Sequence, residues 1–135
     1  MPLYYADSSA LVKLIVEEPE SDALEAFLTG AELVSCELVL AEVPRAIRMM
    51  RLAGRRLESV LAQADELLDE LGIIELDAAL LAAAGAIEEV SLRTLDAIHL
   101  AAALRAVPIE GFVSYDHRQS AVARLAGLRT VAPGA

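Results

Sequence analysis

Leu3-Tyr4-Tyr5-Ala6-Asp7-Ser8-Ser9-Ala10-Leu11-Val12-Lys13-Leu14 opens the chain and decides its fold. The apolar run Leu3–Ala6 is too short for a helix and stops at an acid. Two serines follow, and Leu11, Leu14 and Ile15 then take helical spacing. The segment reads as strand, turn, helix. In open α/β sheets, ligands gather at the carboxyl ends of the strands. Asp7 therefore stands where a site would be, beside a helix N-terminus. Asp is also a good helix N-cap, and this segment alone does not separate the two roles.

The rest of the chain continues the alternation. Helices are expected over Ser8–Glu17, from a Ser21 cap to Gly30, and from a Ser35 cap to about Leu52. Pro44 inside the third should kink it or start a new helix, because proline has no N–H to donate. Arg55–Leu71 keeps a 3.6 period, Asp77 caps Ala78–Val90, Leu95–Ala106 ends before Pro108, and a short helix runs to Ala126. Between them lie strands at Leu33-Val34, Ile73–Leu76, Gly111–Tyr115 and Leu128–Val131. Strands alternating with helices imply an α/β fold with a central parallel sheet.

Composition bounds the function. A chain of 135 residues fits a single domain, 1–135. Its hydrophobic fraction is 56%, yet no apolar run approaches the roughly 18 residues of a membrane span. No basic segment precedes the first apolar residues, so a signal peptide is not expected. The one cysteine, Cys36, excludes an internal disulfide or a cysteine metal cluster and reads as a small buried apolar residue. These features suggest a cytoplasmic protein. The net charge of −10 argues against binding nucleic acid with the whole surface. The absence of Trp argues against a base-stacking single-strand binder.

The acids carry the chemistry. Asp116 repeats the setting of Asp7: an apolar strand delivers it to a turn that starts a helix. If the two strands are neighbours, the carboxylates stand about 5 Å apart, which a cation between them would relieve. Asp96 shares its helical face with His99, Leu100 and Ala103, and a carboxylate on such an apolar face needs more explanation than the helix dipole gives. Glu42 is likewise flanked by apolar residues, with Arg45 one turn on as an alternative surface partner. His99 reads as a hydrogen-bonded packing residue. Four acids without cysteine suit a hard, oxygen-loving ion, Mg²⁺ or Mn²⁺ and not Zn²⁺. Such ions activate water and meet substrate phosphate, which suggests phosphodiester hydrolysis. Ser8 either adds a hydroxyl at the metal edge or caps its helix.

Asp7-Ser8-Ser9-Ala10-Leu11, Ala41-Glu42-Val43, Asp96-Ala97-Ile98-His99-Leu100-Ala101 and Tyr115-Asp116 together resemble the PIN domain, and within it the VapC-type toxin ribonucleases. Order and spacing match over nearly the whole chain. The resemblance implies a three-layer α/β/α fold and a Mg²⁺- or Mn²⁺-dependent endoribonuclease with Asp7, Glu42, Asp96 and Asp116 at its catalytic and metal positions. It also implies a homodimer and inhibition by a cognate VapB-type antitoxin. Pro44, directly after Glu42-Val43, bears on how that helix presents Glu42.

Of eleven basic residues, Arg45, Arg48, Arg51, Arg55 and Arg56 fall in one window. Arg45, Arg48 and Arg55 share a broad helical face and read as an RNA backbone track, an antitoxin contact or a solvated face. The competing reading of the whole chain is a non-catalytic α/β protein-interaction module whose acids are merely caps. A receiver-type phosphoacceptor would want a late Lys, and the only Lys is Lys13.

Overall fold

The computed structural model describes all residues 1–135. Five strands form one parallel sheet in the order β3-β2-β1-β4-β5, with β1 at Leu3–Ala6, β2 at Glu32–Cys36, β3 at Gly72–Ile74, β4 at Gly111–Val113 and β5 at Thr130–Val131. Seven helices connect them: α1 (Ser8–Ile15), α2 (Ser21–Leu28), α3 (Val39–Met49), α4 (Gly54–Glu70), α5 (Ala78–Gly85), α6 (Thr94–Ala106) and α7 (His117–Leu125). The chain moves outward from β1 to β3, then returns to the other side of β1 for β4. Because crossovers keep one hand, that reversal sends the later helices to the opposite face of the sheet.

The pleat divides the core accordingly. Tyr4, Ala6 and Val113 face α1–α4, where Leu11, Leu24, Val43, Ile47 and Ala64 are buried. Tyr5, Cys36 and Phe112 face α5–α7, against Leu80, Leu100, Ala102 and Ala123. The Tyr5 and Phe112 rings stack with centroids 5.3 Å apart. The result is the three-layer α/β/α arrangement expected from the strand–helix alternation. No helix is long and apolar enough to cross a membrane.

Several boundaries differ from the sequence expectations. Ser35 does not cap a helix. It lies within β2, and its buried hydroxyl donates to the Ala6 carbonyl at 2.6 Å, while Val34 and Cys36 turn to the α5–α7 face. Helix α3 begins only at Val39. Ser21 is likewise the first residue of α2 rather than its cap. Its hydroxyl donates to the carbonyls of Lys13 and Val16 and accepts from the Glu18 N–H, so it ties α1 to α2. Pro44 neither restarts nor ends α3, which runs through it. The carbonyl it leaves without a partner belongs to Leu40, a residue 49% exposed, where water can serve it. Helix α5 stops at Gly85, short of Val90. Strand β4 stops at Val113, short of Tyr115. Asp77 does cap α5, accepting from the Leu80 N–H at 2.8 Å. Gly30 and Gly127, at φ 79 and 92, supply the left-handed turns that follow α2 and α7.

Phe112 is fully buried on the interior strand β4, so Phe112→Ala should cost about 3–5 kcal/mol. Urea unfolding at neutral pH measures this; a loss below about 1 kcal/mol would contradict the packing described.

Candidate active site at the strand switch point

The switch in strand order falls between β1 and β4, where ligands bind in open α/β sheets. The register pairs Ala6 with Val113, so the residue beside Asp7 is Ser114 rather than Asp116. Asp116 comes two residues later, and the cross-strand spacing expected for the two acids does not apply. Asp7 accepts from Ser9 Oγ at 2.6 Å and from the Ala10 N–H at 3.3 Å through Oδ1, and from Ser114 Oγ through Oδ2. It therefore does cap α1, as its position suggested, and is also 5% exposed. Burial raises its pKa above the ordinary carboxylate value, although the hydroxyls of Ser114 and Ser9 offset part of that.

Around Asp7 lies a cavity of about 340 Å³ lined by Ser8, Glu42, Arg93, Asp96, His99 and Asp116, among others. All four sequence-predicted acids are thus brought to one place from four separate elements. Ser8 lines the cavity too, but the hydroxyls on Asp7 belong to Ser9 and Ser114. Asp116 caps α7 through Oδ1, accepting from the N–H groups of Arg118 and Gln119 at 3.0 and 3.2 Å. Asp96 lies in the first turn of α6 with Oδ2 3.5 Å from Arg93 Nε.

Glu42 does not pair with Arg45. Its Oε1 accepts from His99 Nε2 at 2.6 Å, and His99, 2% exposed, meets the Tyr5 hydroxyl at 2.8 Å through Nδ1. His99 is a hydrogen-bonded packing residue, as expected, and it packs against the site. Burial opposes its protonation, but contacts with Cys36 and Glu42 outweigh this and hold its pKa up, at about 10. The ring thus bridges the Glu42 carboxylate, at Nε2, and the Tyr5 hydroxyl, at Nδ1. Cys36 is buried beside the ring, 3.7 Å from Nδ1.

The donor set at the cavity is carboxylate and hydroxyl oxygen, with no thiolate. No three His, Cys, Asp or Glu side chains gather tightly enough to cage an ion directly. This chemistry fits Mg²⁺ or Mn²⁺, ions that retain several waters and take one or two carboxylates, and it does not fit the closed shell of Zn²⁺. Sequence reading missed Ser9 and Arg93 as parts of this lining, and Ser114 as a hydrogen-bond donor to Asp7. Ser9 sits in the first turn of α1 and Ser114 just past β4, ordinary places for serine, and Arg93 lies outside any periodic segment.

Asp7→Asn keeps the shape and removes the buried charge, so in EDTA at pH 7 it should raise Tm. Because the folded pKa is raised, Asp7 favours the folded state fully only below its unfolded value of 3.8 and loses that as pH rises through the folded value. The advantage of the variant should therefore close as pH falls toward 4, which thermal melts across pH 3.5–8 will test.

The PIN domain family model matches residues 4–125. Ribonuclease VapC46 of Mycobacterium tuberculosis is 42% identical, over 98% of this chain and 99% of its own length. Ribonuclease VapC35 of the same species is 40% identical, with 98% of each covered. Among solved structures, Mycobacterium tuberculosis VapC20, a sarcin-ricin loop cleaving toxin, superposes with a TM-score of 0.71 at 20% identity, covering 96% of this chain and 99% of that one. The VapBC2 structure from Rickettsia felis, bound to a promoter DNA fragment, gives 0.69 at 18%, covering 97% and 98%. The fold, the order of the acids and these full-length similarities agree: the chain belongs to the PIN-domain family, in its VapC branch.

Proposed function

We propose that this protein is an endoribonuclease toxin that hydrolyses RNA phosphodiester bonds with Mg²⁺ or Mn²⁺ held at Asp7, Glu42, Asp96 and Asp116. The observation that carries the reading is the convergence of these four acids on one cavity at the strand switch point. The ribonuclease relatives support the substrate class, and the VapBC assembly of Rickettsia felis supports restraint by a VapB-type antitoxin.

Asp7, Glu42, Asp116 and Arg93 have distinct tasks in this reading. Asp7 is desolvated, so a cation beside it relieves the cost of its ionised form and binds strongly in return. Such an ion supplies Lewis acidity toward water and the scissile phosphate. Glu42 is held from behind by His99 and keeps one orientation, suited to aligning an attacking water. Asp116 commits Oδ1 to its helix and leaves Oδ2 for the cavity. The Arg93 guanidinium, beside Asp96, suits a backbone phosphate of the substrate.

Arg45 and Arg48 lie on α3 but Arg55 opens α4, so the single helical face expected for the three is divided between two helices; all three are exposed and have no ion-pair partner, and Arg45 lies one helical turn from Glu42. They serve as the track along which the RNA backbone reaches the site, or as an antitoxin contact. A homodimer belongs to the same reading, supported by the apolar groove between α5 and α6, where Leu81, Ile87, Leu92 and Ile98 meet.

Cleavage of a mixed pool of structured RNAs should require Mn²⁺ or Mg²⁺, and Asp7→Asn should lower it at least about a hundredfold. A folded wild-type chain that neither cuts RNA nor gains Tm from the metal would instead be the non-catalytic interaction module. The triple variant Arg45→Ala, Arg48→Ala, Arg55→Ala should raise KM at unchanged kcat. It should also flatten the salt dependence by about 0.7 in log–log slope per lost phosphate contact. Weaker antitoxin binding with unaltered KM would assign the strip to the antitoxin.

A further inference from the structure

Gln119 lies on the buried face of α7, in line with Val122 and Ala123, where an apolar residue is expected. It is 2% exposed. Its side-chain Nε2 donates to the Asp96 carbonyl oxygen at 3.1 Å. Its backbone N–H donates to Asp116 Oδ1 at 3.2 Å. Its Oε1 is buried and has no hydrogen-bond partner. Exchanging the amide oxygen and nitrogen gives no escape, because that would set two acceptors against each other at Asp96.

One residue therefore touches the chain at both acids contributed by the second half of the molecule. The Nε2 bond reaches the Asp96 backbone in the first turn of α6, whereas the Asp96 carboxylate itself meets only Arg93, at 3.5 Å from a side chain that is 71% exposed. An amide on an apolar face, with one acceptor unmet, lowers the stability of the fold. Packing alone would select Leu or Met here. The bond from Nε2 to Asp96 is the gain that accompanies this loss.

We propose that Gln119 is a positioning residue that fixes Asp96 relative to Asp116 by bridging the first turns of α6 and α7. It touches neither substrate nor ion and acts through the two acids, so the inference rests on the reading of those acids as the active site. Loss of contacts that orient a metal-binding residue from behind commonly changes metal affinity or activity by about 10–100-fold.

The test compares wild type, Gln119→Met, Gln119→Leu and Asp116→Asn. It measures Tm in EDTA, Mn²⁺ affinity by calorimetry, and kcat and KM on a cleavable RNA per folded molecule. Both Gln119 variants should keep or raise Tm, weaken Mn²⁺ binding and lower kcat by about tenfold or more, with KM within about twofold. A purely structural amide would do the reverse: Tm would fall while Mn²⁺ affinity and kcat per folded molecule stayed at wild-type values, and that result overturns the proposal. Wild-type values throughout in either folded variant overturn it as well. If the wild type itself binds no Mn²⁺ and cuts no RNA, the ribonuclease reading fails first, and the positioning role falls with it.

Discussion

The carboxylate of Asp7 is taken out of water at the point where two parallel strands end side by side, and the surrounding chain is arranged to make that tolerable. A buried, ionised acid needs hydrogen bonds to replace its hydration. Ser9, Ser114 and the Ala10 N–H supply them. The same two serines also receive N–H groups from the segment leaving β4: Tyr115 donates to Ser9 Oγ and Asp116 to Ser114 Oγ. The groups that solvate Asp7 therefore also steer the chain toward Asp116. Local stabilisation of one charge and placement of the next acid are one hydrogen-bonded structure.

This coupling explains what could be read from the residues beforehand and what could not. Asp7, Asp77 and Asp116 were readable as helix starts because capping is a local property, settled within three residues. Asp7 and Asp116 show that a cap and a site residue need not be alternatives, since each carboxylate caps its helix while lining the cavity. Ser35 misled for the same local reason: a Ser ahead of an apolar run imitates a cap. Only the alternation of Val34 and Cys36 toward the far face of the sheet, settled by pairing with β1 and β3, makes it a strand residue. Strand ends were overextended because an apolar run does not reveal where its neighbour stops. Long-range partners, such as Glu42 with His99, carry no local signature. The Arg at offset three was the visible candidate for Glu42, and the tertiary fold chose the buried imidazole instead.

Three of the polar residues withdrawn from water, Asp7, His99 and Gln119, lie at the carboxyl edge of the sheet within reach of the cavity or of its acids. None improves the core. Each displaces an apolar side chain that would pack without a hydrogen-bond requirement. By contrast, the buried polar residues on the α1–α4 side, Ser21 and Ser35, are small hydroxyls whose protons go to backbone carbonyls. Natural folds carry such costs where function needs them, because they sit only somewhat above their stability threshold. The distribution of buried polarity thus singles out the edge that carries the cavity, independently of any motif.

Charge gives the same answer from the outside. Four acids face a cavity whose basic side chains are His99, held by Glu42, and Arg93, largely in solvent. Like charges in a shared cleft raise each other's cost of ionisation unless a cation neutralises them. The pairings within the chain account for Glu42 and, weakly, for Asp96, while Asp7 and Asp116 have hydrogen bonds but no opposite charge. A divalent cation entering this cavity would meet the two acids the protein leaves electrostatically unbalanced, at the ends of the two central strands. The imbalance, more than the number of carboxylates, distinguishes this edge from a set of helix caps.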